Sequence, residues 1–328
     1  MIAITGANGL LGSFIVRKLL QQNEPFIALK RNGSDTSLLD DVKQKINWRD
    51  ADIQDTVTLS EAFKDASRVI HTAAIVSFNP SRADEVMDIN VVGTRNVVNV
   101  CLAMGIKRLV HVSSVAALGR QKGQQVVTES NKWTETPFNS VYASSKYQAE
   151  LEIFRGQEEG LSTVIINPSL ILAGANWNQS SAQLFKYVWG QRPFYIDGVL
   201  NYVDVEDLSD LIYALLNSEL EGERFIASAG KISYKDFFEK IANQFNKKPP
   251  SIKLTKNFLK IGAMVERFRT RIAGGEPAIT RETARLAGSD FVFENKKIKN
   301  KLNFEFQPID KTLQRCCGYY LAKMAPKK

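Results

Sequence analysis

Ile4-Thr5-Gly6-Ala7-Asn8-Gly9-Leu10-Leu11-Gly12 is the stretch that decides the fold of this chain. A short apolar run precedes it, and apolar residues at helical spacing follow it. Gly6 permits a tight turn, Gly9 lets the backbone approach a pyrophosphate, and Gly12 lets the helix pack closely on the strand. A helix N-terminus offers free N–H groups and a partial positive charge to phosphates, so this unit predicts a dinucleotide site. The predicted contacts are Gly6, Asn8, Gly9, Leu10, Leu11 and Gly12. The alternative is a chance glycine turn.

Outward from this loop, short apolar runs alternate with helical patterns over the first 170 residues. Such alternation is typical of parallel βαβ units, and it predicts a doubly wound α/β sheet that binds ligands at the carboxyl ends of its strands. Strands are predicted at Met1–Thr5, Pro25–Lys30, Arg68–Thr72, Arg108–Ser113 and Thr163–Asn167. Helices are predicted at Leu10–Gln21, in a short piece ending at Asp65, at Asp84–Met104 and at Ser140–Phe154.

The alternation loosens after Ala175. Asn201–Val205 and Asp207–Leu216 are predicted as one more strand and helix that return to the sheet. Arg224–Ala227 is predicted as a short strand and Tyr234–Phe245 as an amphipathic helix.

A chain of 328 residues is long enough for about two domains. We expect a dinucleotide-binding domain over residues 1–175, joined by residues 198–222, and a smaller substrate-binding lobe over residues 176–328. Hydrophobic residues make up 44% and charged residues 24%, which excludes disordered and fibrous classes. No run of 18 apolar residues is present, so we expect no transmembrane helix.

Cysteine and histidine are scarce. Cys101, Cys316 and Cys317 imply no disulfide framework, and strand-forming residues that begin at position 2 leave no room for a leader peptide, so a cytoplasmic location is expected. His71 and His111 are predicted as core residues, and no metal site is expected.

The net charge of +8 is concentrated toward the C-terminus. Residues 1–244 carry 24 basic and 28 acidic residues, whereas residues 245–328 carry 19 and 7. No nucleic-acid-binding motif accompanies this charge, so no nucleic acid partner is expected. Lys256–Ile272 is predicted as a basic helix that either covers the substrate lobe or lies on an anionic membrane surface.

The end of the second predicted strand indicates which dinucleotide binds. A carboxylate about 20 residues beyond the glycines would bind the ribose 2′-OH of NAD. This chain instead has Lys30 and Arg31 there, and a guanidinium suits a 2′-phosphate. The sequence therefore predicts NADP(H) in preference to NAD(H), with two solvated loop cations as the alternative.

Tyr142 and Lys146 form the predicted acid–base pair. Their spacing of four residues places them on one face of a helix, where the ammonium stabilises the phenolate and lowers its pKa. Tyr147 lacks such a partner, because position 151 is Leu. Ser114, at the carboxyl end of a predicted strand, is the candidate that orients a substrate oxygen, and Ser113 is the alternate.

Seven short motifs match one known family in order along the chain. They are Thr5 to Gly12, Asp52-Ile53, His71-Thr72-Ala73-Ala74, Asn90-Val91-Val92-Gly93-Thr94, Ser113-Ser114, Tyr142 to Lys146, and Tyr202-Val203-Asp204-Val205-Glu206-Asp207-Leu208. With them the chain resembles the extended short-chain dehydrogenases/reductases (the NAD-dependent epimerase/dehydratase family). The branch it resembles is that of dihydroflavonol-4-reductase-like and 3β-hydroxysteroid-dehydrogenase-like proteins. The resemblance implies a Rossmann fold.

The resemblance also implies roles for individual residues. Asp52 and Ile53 would hold the adenine, and Ala73 and Ala74 would line the cofactor. Tyr142 and Lys146 would contact the cofactor as well, Lys146 through the ribose hydroxyls, and Pro168 and Ser169 would lie beside the nicotinamide carboxamide. The chain departs from the family at Asn167, where relatives commonly have Arg before the proline. Relatives commonly form homodimers through the helices predicted at Asp84–Met104 and Ser140–Phe154.

The resulting prediction is an NADPH-dependent oxidoreductase that reduces a ketone or aldehyde on a small to medium, largely apolar molecule. Tyr142 would be the general acid and Ser114 would position the carbonyl. Val115-Ala116 stands where dehydratases of the family carry an acidic pair, which argues against dehydration. The alternatives are a nucleotide-sugar epimerase with tightly bound NAD and a non-catalytic dinucleotide-binding sensor.

Overall fold

The computed structural model describes residues 1–120, 123–135, 139–177, 181–254 and 290–324. The basic helix predicted at Lys256–Ile272 lies outside the described residues. No helix within the described ranges is both long and apolar enough to cross a lipid bilayer.

The described residues form fourteen strands and ten α-helices. The strands are β1 (Ile2–Thr5), β2 (Phe26–Lys30), β3 (Trp48–Asp50), β4 (Arg68–His71), β5 (Arg108–Val112), β6 (Val126–Val127), β7 (Thr163–Pro168), β8 (Leu170–Leu172), β9 (Phe194–Ile196), β10 (Val199–Asp204), β11 (Glu223–Ala227), β12 (Gly230–Ser233), β13 (Ile252–Leu254) and β14 (Val292–Phe293). The helices are α1 (Leu10–Gln21), α2 (Thr56–Phe63), α3 (Ala83–Met87), α4 (Gly93–Ala103), α5 (Val141–Glu158), α6 (Ala182–Trp189), α7 (Val205–Leu216), α8 (Tyr234–Phe245), α9 (Lys296–Leu302) and α10 (Ile309–Met324).

Seven parallel strands form the central sheet, in the order β11-β7-β5-β4-β1-β2-β3. The chain winds outward from β1 in one direction through β2 and β3, and in the other through β4, β5, β7 and β11. The carboxyl ends of β1 and β4 therefore flank the point where the winding reverses, and such a point is where doubly wound sheets bind ligands. The predicted Rossmann fold is confirmed.

Helices cover both faces of this sheet, which is why its strands are apolar throughout. Side chains of a strand alternate between faces, so Ile2 and Ile4 pack in the core with α1 and α7, whereas Ala3 packs in the core with α2 and α4. The long helix predicted at Asp84–Met104 consists of α3 and α4, joined by a π-helical turn at Asp88–Val92.

The segment after β8 corrects one prediction. β10, expected to return to the central sheet, lies instead in a three-stranded sheet between β8 and β12. Its successor α7 packs against α1, and β11 forms the edge of the central sheet. A third core joins α6, α8 and α10, and Arg315 of α10 holds Asp204 at the start of α7 with two hydrogen bonds of 2.8 and 2.9 Å.

Candidate active site

The glycine loop adopts the geometry that its spacing predicts. Gly6 has a φ of +70°, and a Cβ added there would lie 2.8 Å from the Ala73 nitrogen. A Cβ on Gly12 would lie 2.1 Å from the Gly6 carbonyl oxygen. Both positions therefore exclude any side chain, and α1 starts directly against the end of β1.

A cavity of about 290 Å³ opens where the carboxyl ends of β1, β2, β3 and β4 meet. Of the predicted cofactor contacts it is lined by Gly6, Asn8, Gly9, Lys30, Arg31, Asp52, Ile53, Ala73 and Ala74. The sequence did not assign seven further lining residues: Thr5, Leu29, Ser34, Ala51, Thr72, Ile75 and Ile89. Four of them, Thr5, Leu29, Ala51 and Thr72, adjoin the predicted residues at the same strand ends, so strand neighbourhood is the signal that would have found these four. Ser34 and Ile75 lie in loops and Ile89 in the π-helical turn, and no local signal marked them.

The remaining predicted contacts do not line this cavity. Leu10, Leu11 and Gly12 lie in the first turn of α1, Tyr142 and Lys146 on α5, and Pro168 and Ser169 at the buried end of β7. The cavity alone thus brings together the residues assigned to the phosphate and adenosine half of a dinucleotide.

The two predicted cations at the end of β2 differ in their surroundings. Lys30 forms an ion pair of 2.5 Å with Asp50 of β3, a neighbour that the sequence did not indicate. Arg31 is exposed, and its positive charge contributes, after Arg82, to lowering the pKa of the Glu85 carboxyl. Asp52 accepts a hydrogen bond of 3.0 Å from the Gln54 amide. A 2′-phosphate would therefore find Arg31 exposed and Lys30 already compensated.

Helix α5 carries the predicted acid–base pair. The Ser140 side chain caps the helix by accepting from the Ala143 amide at 3.1 Å, so Tyr142 and Lys146 fall within its first two turns. Tyr142 is half-buried, and Phe78 packs edge-on against its ring with centroids 5.6 Å apart.

Lys146 is almost completely buried. It is 3% exposed, and its ammonium donates to the Val112 carbonyl oxygen at 2.9 Å. Burial lowers the pKa of Lys146 to about 8, while the nearby Glu150 acts in the opposite direction. A cation thus stays at the end of β5, one helical turn from Tyr142.

The two serines after β5 are held differently. Ser114 accepts from the Ala116 amide at 3.1 Å, which leaves its hydroxyl proton available to another acceptor. Its backbone carbonyl accepts from the Asn167 side chain at 2.9 Å. The Ser113 hydroxyl is buried and has no hydrogen-bond partner among the described residues.

Asn90, in the π-helical turn, anchors a loop beside the candidate site. Its side chain accepts from the Ile75 amide at 2.7 Å and donates to the Ile75 carbonyl at 2.9 Å, so it pairs with this backbone as a neighbouring strand would. It also donates to the Ser145 hydroxyl on α5 at 2.9 Å. The loop then carries two exposed apolar side chains, Val76 and Phe78, and the ring of Phe78 contacts that of Tyr142.

The two histidines occupy paired positions on the adjacent strands β4 and β5, with ring centroids 5.1 Å apart. The Thr94 hydroxyl donates to the Asn90 carbonyl, so His71 Nε2 donates to Thr94 at 3.0 Å and Nδ1 accepts from Thr5 at 2.7 Å. Burial, and secondarily the charge of Lys146, lowers the pKa of His71 to about 3 and places the pKa of His111 well below its usual value. Both are neutral core residues.

Because these two histidines are buried and neutral, we expect the free energy of unfolding to fall in weak acid. Protonation is disfavoured in the folded state, so stability is intact above pH 6.5 and falls as the pH drops from 6.5 toward 3. Each neutral histidine leaves the unfolded state with one more bound proton than the folded state as the pH falls below 6.5, whereas Asp207, whose pKa burial raises to about 6, offsets part of this effect below that pH. Urea unfolding at pH 7 and pH 5 measures the slope, and an unchanged free energy of unfolding would contradict the assignment. The variant His111→Leu should reduce the slope and should leave the fold intact, since neither nitrogen of His111 has a partner among the described residues.

Comparison with known proteins identifies the family. The model of the 3-beta hydroxysteroid dehydrogenase/isomerase family matches residues 3–253 of this chain. The chain belongs to that family. Its members are NAD(P)-dependent dehydrogenases and reductases, within the extended short-chain dehydrogenases/reductases that the motifs resemble.

Several known proteins match most of the length of this chain. Sterol demethylase protein B of Methylococcus capsulatus is 28% identical over 230 residues, which cover 69% of this chain and 68% of the relative. Cinnamoyl-CoA reductase 1 of Petunia hybrida is 27% identical over 265 residues, covering 76% and 78%. The crystal structure of gox2253 superposes with a TM-score of 0.85 at 28% identity, covering 100% and 99%. The UDP-glucose 4-epimerase of Thermotoga maritima shares the fold, with a TM-score of 0.80 at 16% identity over 98% and 99% of the two chains.

Proposed function

We propose that this protein is an NADPH-dependent oxidoreductase that reduces the carbonyl group of a small to medium, largely apolar ketone or aldehyde. The observation that carries the proposal is the buried ammonium of Lys146 one helical turn from Tyr142, at the same end of the sheet as the glycine-loop cavity. A nicotinamide dinucleotide bound there would supply the hydride. The residues of the chain then have to bind and orient the carbonyl and move one proton.

Tyr142 is the proposed proton donor and Ser114 the proposed hydrogen-bond donor to the carbonyl oxygen. At pH 7 a group with a pKa of about 8 is mostly protonated, so Lys146 keeps a positive charge that favours the phenolate left on Tyr142 after proton transfer. Ser114 keeps its hydroxyl proton for the substrate oxygen, because its own oxygen already accepts from Ala116. Tyr142 thus transfers the proton, and Ser114 orients the carbonyl group.

The loop anchored by Asn90 supports an apolar substrate. Val76 is 62% exposed and Phe78 is 37% exposed. The ring of Phe78 packs edge-on against the ring of Tyr142. An exposed aromatic beside a proton donor favours an apolar or aromatic group next to the reacting carbonyl. We assign the rest of substrate selection to the lobe within residues 176–328 that contains α6, α8 and α10.

The proposed preference for NADPH depends on binding of the ribose 2′-phosphate by Arg31. We expect Arg31→Asp to lower kcat/KM for NADPH by at least about tenfold and to change kcat/KM for NADH little, because the substitution removes an exposed guanidinium and adds a charge that repels the 2′-phosphate. Lys30→Gln is the matched control and should have the smaller effect, since Lys30 is already paired with Asp50. A tenfold preference of the unaltered protein for NADH would contradict the assignment.

A panel of carbonyl compounds, assayed by loss of NADPH absorbance, tests the proposed function. We expect turnover of apolar ketones or aldehydes and little turnover of charged ones. Co-purified, tightly bound NAD together with interconversion of a nucleotide sugar and no net NADPH consumption would identify an epimerase instead.

A further inference from the structure

We propose that Glu150 positions both partners of Tyr142: it lies one helical turn from Lys146 on the same face of α5, and it holds the backbone of Ser114 through Asn167. The contribution of Glu150 to catalysis rests on the proposed function. The contacts that Glu150 makes in the fold do not depend on that function. Glu150 is therefore a positioning residue rather than a catalytic one.

The position of Glu150 on α5 continues the catalytic face. Tyr142, Lys146 and Glu150 follow one another at intervals of four residues, so their side chains share one side of the helix. Glu150 is fully buried, and a carboxylate in such a place needs compensating partners. The structure supplies them from two strands of the central sheet.

Asn167, at the end of β7, is the first partner. Its side-chain nitrogen donates to Glu150 Oε1 at 2.5 Å and to the Ser114 carbonyl oxygen at 2.9 Å. One amide group thus connects the buried carboxylate with the backbone of the serine proposed to orient the substrate. Asn167 occupies the position where the resemblance leads one to expect arginine, and a shorter amide leaves room for a guanidinium from elsewhere.

Arg224, on the neighbouring strand β11, supplies that guanidinium. Its Nη1 lies 3.1 Å from Glu150 Oε2, and its other nitrogens donate to the backbone carbonyls of Glu129 and Asn131 at 2.7 to 2.9 Å. Every nitrogen of the guanidinium thus has a partner, so its charge is fixed beside Glu150. The buried carboxylate is paired and hydrogen-bonded, as the low dielectric requires.

The groups around Lys146 determine how strongly the charge of Glu150 affects the pKa of Lys146. From β4 and β5 Lys146 faces His71 and His111, both neutral, and the Val112 carbonyl. On its own helix Tyr142 and Glu150 each lie one turn away on the same face, and Arg224 pairs with the Glu150 carboxylate. Removing the negative charge should lower the pKa of Lys146, and removing the positive charge behind it should raise that pKa. A purely structural role would not produce opposite signs.

The test is the titration of Lys146 in the full-length protein, followed by NMR of ¹³Cε-labelled lysine and assigned with Lys146→Arg. Relative to the unaltered protein, we expect the Lys146 midpoint to fall by about one pH unit in Glu150→Gln and to rise by a smaller amount, about half a unit, in Arg224→Met, because Arg224 lies farther from Lys146 than Glu150 does. Arg224→Lys, which keeps the charge but loses the contacts to the backbone carbonyls, should leave the midpoint within about 0.3 unit.

Shifts in the same direction, or no shift in either variant, would overturn the proposal. A shift in Arg224→Lys equal to that in Arg224→Met would also overturn it, because lost contacts rather than charge would then be responsible. If Glu150→Gln fails to fold, the sign of the Arg224→Met shift decides alone. Since this titration needs no substrate, it can succeed even if the proposed reductase activity is absent. If that activity is present, the pH profile of kcat should move with the Lys146 midpoint.

Discussion

Tyr142→Phe is expected to lower kcat by about 10²- to 10⁴-fold, the usual contribution of a positioned general acid. The substitution removes the proton to be donated and keeps the ring, so the edge-on contact with Phe78 and the start of α5 should persist. Steady-state kinetics with NADPH and the best carbonyl substrate measures the loss. Cofactor affinity and the melting temperature should change little.

Tyr147→Phe is the matched control on the same helix. Tyr147 stacks on Trp133 with ring centroids 4.6 Å apart and planes 7° apart, and this contact does not need the hydroxyl. Its activity should therefore stay near that of the unaltered protein. Full activity in Tyr142→Phe, or an equal loss in both variants, would refute the assigned proton donor.

Gly12→Ala is expected to cost at least about 3 kcal/mol of stability, toward the upper end of overpacking effects. The added Cβ would lie 2.1 Å from the Gly6 carbonyl oxygen and 2.8 Å from the Ala7 Cα, and all of these clashing atoms belong to the backbone. No rotamer change can relieve such a clash, so α1 must move away from β1. The midpoint of urea unfolding and the affinity for NADPH should both fall.

Gly318→Ala provides the control for the glycine substitution. Gly318 lies within α10, and a Cβ there meets nothing within 4 Å. The higher helix propensity of alanine should raise stability by up to about 1 kcal/mol. An unfolding midpoint of Gly12→Ala equal to that of the unaltered protein would contradict the packing described for the glycine loop.

Local patterns predicted the parts of the fold that depend on local physics. The bounds of α1 and α8 follow from apolar periodicity and from residues such as Asn246, which ends α8 in the left-handed conformation. The five strands β1, β2, β4, β5 and β7 were also predictable, since a strand buried on both faces is a short, uninterrupted apolar run.

Elements defined by distant partners were not predictable. β3 has only three residues, and two of them, Arg49 and Asp50, are charged. Its pairing with β2 is what places Asp50 beside Lys30 and alters the expected site. β10 was predicted as a strand, but its place beside β8 rather than in the central sheet depends on the core that it shares with α6 and α8.

In the candidate site, too, the features encoded within one helix were predictable, and those that depend on distant strands were not. The spacing of Tyr142 and Lys146 is visible in one helix, and so was predicted. Asn167 and Arg224 reach Glu150 only because β7 and β11 are adjacent strands in register, and no short stretch of sequence records that adjacency.

The most direct test of the central claim is a crystal structure of the protein with NADP⁺ bound. We expect the Tyr142 hydroxyl to face the nicotinamide ring across a gap that admits one carbonyl group, with the Ser114 hydroxyl on the same side and the ribose 2′-phosphate against Arg31. A Tyr142 hydroxyl that points into bulk solvent, or a ring bound elsewhere, would contradict the proposed chemistry.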